Sequence, residues 1–486
     1  MYLGLDIGTS SIKGVLIDDR QKIVASATSP LRVSRLHEGW SEQAPGDWWK
    51  ATQKVVTMLK KAKPKAMAAV DGVGLSGQQH GATLIDKADK VLRPAILWND
   101  ARSFAECVEI ESREPRSREI SGNIAMAGFT APKLLWVKKH EPKTFEKVAK
   151  VLLPKDYVRL CMTGDYASDM SDSAGTLWLD VAKRQWSDEL LVASSMRREQ
   201  MPKLYEGSEA TGRLSPSVAK AWGMPKLPVV AGGGGDNAAS ACGMGAVNPG
   251  AAFVSLGTSG VLFVSNEKFR PNTKGAVHAF CHAVPDTWHQ MGVILSATAS
   301  LEWLASILKT PAPKLTQRLG NMISGPSSAM FLPYLSGERT PVADAQARGI
   351  LMGLGHETDA NVLTQAVLDG VAFAFRDCLE ALKAAGTSID RVTAVGGGSR
   401  SELWLKIIAT VLNIPVDVPM DGDFGGAFGA ARLGLIAATG ASVASVCKAP
   451  KTAKTISPNA KLRTAYEDTY HRYAKLYSAT REINRS

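Results

Sequence analysis

The sequence predicts a duplicated α/β protein, two related domains with a cleft at their join. Three observations carry that expectation. A glycine and hydroxyl turn occurs twice, as Asp6-Ile-Gly-Thr-Ser-Ser near the N-terminus and as Ser255-Leu-Gly-Thr-Ser-Gly just past the midpoint, each time between two apolar runs. Both halves read as strands first and then helices mixed with strands. The 486 residues also exceed what one ordinary hydrophobic core organises, so two domains or three are expected.

Taken in order, the N-terminal half begins with a strand meander over residues 2–33, followed by a helix from Pro45 to Lys61 and a buried strand from Val70 to Leu75. Short apolar runs at Thr83-Leu-Ile and Ala95-Ile-Leu-Trp alternate with helical stretches such as Pro132 to His140. A strand at Pro228-Val-Val-Ala enters Gly232-Gly-Gly-Gly-Asp236-Asn237, and helix resumes at Ala238. Gly243 to Gly250, with its glycines, an Asn-Pro pair and no periodicity, is the linker. The pattern then restarts with hairpins over 251–264, 278–283 and 288–294, helices over 299–308 and 360–385, and a strand over 391–395 that enters Gly396-Gly-Gly-Ser399.

The repeated turn is where chemistry is expected. A glycine at the tip of a tight strand-to-strand turn lets backbone N–H groups and the Thr and Ser hydroxyls converge on one point, which suits phosphate oxygens. A third Gly-Thr-Ser, at Gly386, follows an amphipathic stretch and reads as a helix C-cap, so the signal is the repeat in its strand context and not the tripeptide. The run Gly233, Gly235, Ala238 has the form of a dinucleotide-binding turn, but no acid stands near Thr258, where the ribose partner would fall, and this excludes a dehydrogenase. A Walker A loop is excluded because Gly-Lys does not occur in the chain. Asp6 and Asp236 each stand beside a glycine loop. Either could cap the following element, while together, on two sides of a cleft, they suit Mg²⁺ positioning and proton acceptance from an alcohol. His278, Cys281 and His282 alternate faces on a strand, so they are expected to be structural and not a metal set.

Composition narrows the class. The net charge of +11 is spread along the chain with no aromatic-interleaved basic stripe, so nucleic acid is not an expected partner, whereas an anionic small molecule suits the field. Six cysteines without a Cys-x-x-Cys pair fit a reducing cytoplasm. The first strand begins at Tyr2, leaving no room for a signal peptide, and the most apolar late stretch, Leu433 to Val446, is too short and too interrupted to span a bilayer.

At this point the chain resembles the FGGY carbohydrate kinases. Gly128-Phe-Thr-Ala-Pro-Lys133-Leu-Leu-Trp136-Val-Lys-Lys-His140 fits the first signature of that family, and Gly349 to Asp369 fits the second except at Val362. Gly39-Trp-Ser-Glu-Gln43, Gly77-Gln-Gln-His80-Gly81, Trp98-Asn-Asp100-Ala-Arg102, Leu153-Pro-Lys-Asp-Tyr157 and Tyr334 to Pro341 are similar to the branch acting on D-xylulose. The glycine run before Asp236 is one residue longer than is usual there.

The resemblance implies two actin-like (ribonuclease-H-like) domains, 1–245 on the sugar side and 246–486 on the nucleotide side, with ATP and Mg²⁺. It implies phosphorylation of D-xylulose to D-xylulose 5-phosphate in xylose catabolism. Asp236 would be the base and Asp6 the metal residue. Gln79, His80, Asp236 and Asn237 would contact sugar, with Trp98 and Asp100 shaping the wall. Gly8-Thr9-Ser10 and Gly257-Thr258-Ser259 would hold phosphates, and Gly396 and Gly397 the adenosine. A kinase for L-ribulose or glycerol, or an actin-like ATPase without a sugar, remains an alternative. Oligomeric state is open, a homodimer being one arrangement the sequence allows.

Overall fold

A computed structural model describes residues 1–420 and 424–483. Each half is organised around a seven-stranded sheet. In the first, Tyr2–Ile7 runs antiparallel to Ser11–Ile17, which pairs with Ile23–Pro30, and parallel to Gly72–Gly77 on its other side. In the second, Ala252–Leu256 runs antiparallel to Gly260–Asn266 and parallel to Val392–Val395. The same hairpin-plus-parallel-neighbour arrangement therefore opens both halves, and each glycine and hydroxyl turn sits at the hairpin tip. The two hairpins form because their strands are apolar and β-branched while the tips carry Gly, Thr and Ser.

Most expected elements are present with shifted ends. The first helix is Pro45–Ala62, and the strand expected from Val70 starts at Gly72 and runs to Gly77. The helix expected from Ala238 begins at Asp236 and continues to Met244, which removes Gly243 and Met244 from the linker. The late apolar stretch is divided: its first half ends the helix Gly426–Thr439, and its last residues form the short helix Val443–Val446. Among the described residues no helix is long and apolar enough to cross a membrane.

The two halves are joined by more than a linker. The helix Gly426–Thr439 follows a strand of the second sheet, yet it lies on the first sheet, burying Ala427, Phe428, Ala431 and Leu433 with Tyr2, Val15 and Ile17. Glycine makes the approach possible. A Cβ on Gly4 would stand 1.8 Å from the Ala427 carbonyl oxygen, and one on Gly74 1.8 Å from that of Ala430. In return Asp236–Met244, which follows the first sheet, places Ala241 and Met244 in a core with Phe253 and Phe263 of the second. The two helices cross where a Cβ on Gly429 would meet the Ala239 carbonyl oxygen at 1.7 Å.

Candidate active site

Asp236 stands where the glycine run becomes a helix. Gly233, at φ +84°, lies so close to the strand Gly72–Gly77 that a Cβ would be 2.3 Å from the Leu75 carbonyl oxygen, and the Gly235 N–H donates to Ser171 Oγ (3.1 Å). Gly235 is the N-cap of the helix, and the Asp236 carboxylate accepts from the Asn237 backbone N–H (2.7 Å) and Nδ2 (2.9 Å) without bridging to the next turn. The capping role open to Asp236 on sequence grounds is thus taken by a glycine. Burial, and after it the Asp6 carboxylate, raise the Asp236 pKa to about 7. Asp6 is the last residue but one of the first strand, where its Oδ1 accepts from Ser76 Oγ (2.9 Å).

The two glycine loops are fastened differently. Thr9 Oγ1 donates to Gln78 Oε1 (2.8 Å) and accepts from Trp98 Nε1 (3.0 Å), while the Thr9 carbonyl accepts from Gln43 Nε2 (2.7 Å). The hydroxyl expected to meet phosphate is therefore engaged with the scaffold, and Ser10 is the exposed hydroxyl of that loop. In the second loop the Gly257 carbonyl accepts from Thr298 N–H (3.0 Å) and Oγ1 (2.8 Å), the Thr258 carbonyl accepts from Ala297 N–H (2.9 Å), and the Thr258 side chain is exposed.

A pocket of about 250 Å³ gathers Gln79, His80, Trp98, Asp236 and Asn237. Gln79 Nε2 donates to the Ser171 carbonyl (3.3 Å). His80 adopts φ +67°, an uncommon conformation for a side-chain-bearing residue, and its Nδ1 lies 2.5 Å from the Gly175 carbonyl oxygen. Lys133 Nζ ties the loop by donating to the His80 (2.8 Å) and Gly128 (2.7 Å) carbonyls, which gives the first family-like signature a physical purpose. Burial, and then the Lys133 ammonium, hold His80 neutral, well below the usual imidazole range. Asp100 does not line this pocket; it accepts from Ser41 N–H (2.6 Å) and pairs with Arg102 (2.7 Å) behind the wall.

A larger cavity of about 780 Å³ adjoins the pocket at Asn237 and Ser255, which line both. Gly396 lines it at φ +90°, where a Cβ would meet the Leu256 carbonyl oxygen at 2.7 Å, and Gly397 opens the short turn Gly397–Arg400 with nothing near its Cβ direction. His278 and Arg339 also line the small pocket, and the sequence reading missed both as site residues. The alternation of His278 and Cys281 along a strand was the available signal for His278, but it says which residues share a face and not that the face borders a cavity. Cys281 and His282 go elsewhere, to the carbonyls of Val181 (3.5 Å) and Ala246 (3.1 Å).

Residues 1–243 match the N-terminal domain and residues 252–438 the C-terminal domain of the FGGY family of carbohydrate kinases. The chain is 51% identical over 439 residues, 90% of either chain, to the xylulose kinase of Escherichia coli strain K12. Among solved structures it is similar to the xyloylose kinase of Brucella ovis, at TM-score 0.97, 57% identity and 99% coverage of both chains. The xylulose kinase of Rhodospirillum rubrum superposes at TM-score 0.92, with 27% identity over 100% of both chains, so the fold is the two-domain actin-like one.

Proposed function

We infer the reaction from what the chain is: it belongs to the FGGY family of carbohydrate kinases, and its cleft passes the γ-phosphoryl group of ATP to the terminal hydroxyl of D-xylulose, giving D-xylulose 5-phosphate and ADP. The observation that carries the reading is Asp236, a carboxyl group with a pKa of about 7 that lines the small pocket next to Asn237, where the larger cavity adjoins it. The choice of sugar is supported by the name of the relative that is 51% identical over 90% of the chain.

Asp236 accepts the hydroxyl proton as the oxygen attacks phosphorus, and a carboxyl group poised near neutrality is matched to that task. Gln79, His80 and Asn237 hold the ketose. The loops Gly8–Ser10 and Gly257–Ser259 supply N–H and hydroxyl donors to the phosphates, with Ser10 and Thr258 offering exposed side chains. Gly396 and Gly397 leave room for the adenosine against the backbone. Asp6 would hold Mg²⁺, which would offset charge on the β- and γ-phosphates; two carboxylates close enough for one to raise the pKa of the other are a donor set that suits a divalent cation. Phosphoryl transfer needs mostly positioning and charge stabilisation, and closure of the halves limits transfer to water. We assign the sugar side to 1–245 and the nucleotide side to 246–486. The cytoplasm is the matching compartment, since ATP is the donor and all six cysteines are unpaired.

An ADP-release assay across D-xylulose, L-ribulose and glycerol tests the reading, with kcat/KM expected to be highest for D-xylulose. A higher value for L-ribulose or glycerol would keep the kinase and overturn the sugar. ADP release that no sugar stimulates would favour the actin-like ATPase instead.

A further inference from the structure

One wall of the small pocket holds a polar side chain that this chemistry leaves unused. His278, in the strand His278–Cys281, is buried between Phe129 and Phe280, with ring centroids at 5.7 and 5.5 Å. Its Nδ1 lies 3.3 Å from Asn123 Oδ1. The orientation of that amide is fixed, because Asn123 Nδ2 donates to the carbonyls of Ser121 (2.7 Å) and Ala279 (3.0 Å). An amide oxygen only accepts, so His278 Nδ1 carries the ring proton. Burial, and after it Arg339, push the pKa down to about 3, so the ring is neutral and Nε2 is a bare acceptor. Among the described residues this buried nitrogen has no hydrogen-bond partner. Arg339 lines the same pocket, and among the described residues its guanidinium, which only donates, makes no hydrogen bond while standing 5.8 Å from the Trp98 ring centroid.

A buried acceptor left bare is costly until a ligand brings a donor. The wall thus asks for a hydroxyl beside an oxygen that can accept. We propose that His278 Nε2 accepts a hydrogen bond from the C1 or C3 hydroxyl of the bound ketose while Arg339 donates to a neighbouring sugar oxygen, and that the two set which sugars the pocket admits. The assignment rests on the D-xylulose reading above. With C1 as the partner it also separates neutral sugars from sugar acids: the C1 carboxylate of an aldonate would suit Arg339 but cannot donate to His278.

The test compares His278→Phe, which keeps an aromatic ring between Phe129 and Phe280, with His278→Gln, whose amide oxygen can stand near the place of Nε2. D-Xylulose and its 1-deoxy and 3-deoxy analogues are the substrates, and calorimetric ADP affinity reports folding. His278→Phe should lose at least ~10-fold in kcat/KM on D-xylulose, and His278→Gln should recover most of it. On the analogue that lacks the partner hydroxyl, wild type and His278→Phe should be equal. Wild-type kcat/KM in His278→Phe, or the same fold-loss on all three sugars, overturns the proposal. Should His278→Phe fail to bind ADP, the wild type decides: equal kcat/KM on D-xylulose and both analogues overturns it, and a ten-fold drop on one supports it. Wild type that does not phosphorylate D-xylulose is a different result, which overturns the substrate reading itself and this proposal with it.

Discussion

In the N-terminal half the hydroxyl of the glycine loop faces inward, with Thr9 bonded to Gln78 and Trp98. In the C-terminal half the loop is gripped through the carbonyls of Gly257 and Thr258 by the start of the helix Thr298–Ile307, which leaves the Thr258 side chain exposed. The acid differs too: the position two residues before the glycine is Asp6 in the first copy and Ser255 in the second. A duplicated motif has therefore diverged into a loop whose Thr9 hydroxyl is wired to the scaffold of its own half and which carries the carboxylate, and a loop whose Thr258 side chain is exposed. Likeness of sequence at the turn does not fix the use of the side chain; the neighbours do.

Four measurements sharpen or break this asymmetry. The largest effect is expected at Asp236, the proposed base. Asp236→Asn keeps shape but cannot take the proton, and should lower kcat at least ~100-fold with D-xylulose and ATP saturating. A near-normal kcat would return Asp236 to a structural role. Thr258→Val comes next. It removes a donor to a charged acceptor, worth about 1.5 to 3 kcal/mol, or roughly 10- to 150-fold in kcat/KM for ATP.

The third effect is on pH. The base works deprotonated, so kcat/KM should rise with pH through about 7 and level off above it. One unit below that midpoint the rate should be about a tenth of the plateau. Because Asp6 contributes to raising the pKa, Asp6→Asn should move this limb downward, and an unmoved limb would dissociate the limb from Asp236. The smallest kinetic effect belongs to Thr9→Val, whose KM for ATP should change less than that of Thr258→Val. Its cost appears as a lower Tm instead, since Gln78 and Trp98 each lose a partner, at about 1 to 3 kcal/mol for each group left unsatisfied. Equal kinetic losses in the two Thr variants would erase the distinction between the loops.

What could be read from the sequence was local. The hairpins around Gly8 and Gly257, the helix from Pro45 and the glycine run before Asp236 each lie within a few residues, so periodicity and turn chemistry located them to within two or three positions. The engagement of Thr9 could not be seen, because its partners Gln78 and Trp98 stand about 70 and 90 residues away. That His278 borders a pocket was hidden for the same reason. Strand alternation separates it from Cys281, but only the packing of Phe129 and Phe280 and the approach of Arg339 turn its face into a pocket wall. The seating of the helix Gly426–Thr439 on the first sheet and across Asp236–Met244 is allowed by glycines at 4, 74 and 429, spread over most of the chain, and no window of sequence contains it.

That crossing bears on whether either half can exist alone. A chain cut in the linker would leave the first half with a glycine-floored track where Gly426–Thr439 should lie, and the second half without Ala241 and Met244 in its core. Each fragment would expose a face that only the other can cover. Residues 1–245 and 246–486 made separately should be insoluble, whereas the two made together should complement each other as a split protein. The linker thus contributes little to holding the molecule in one piece, and the exchanged helices act as its clasp.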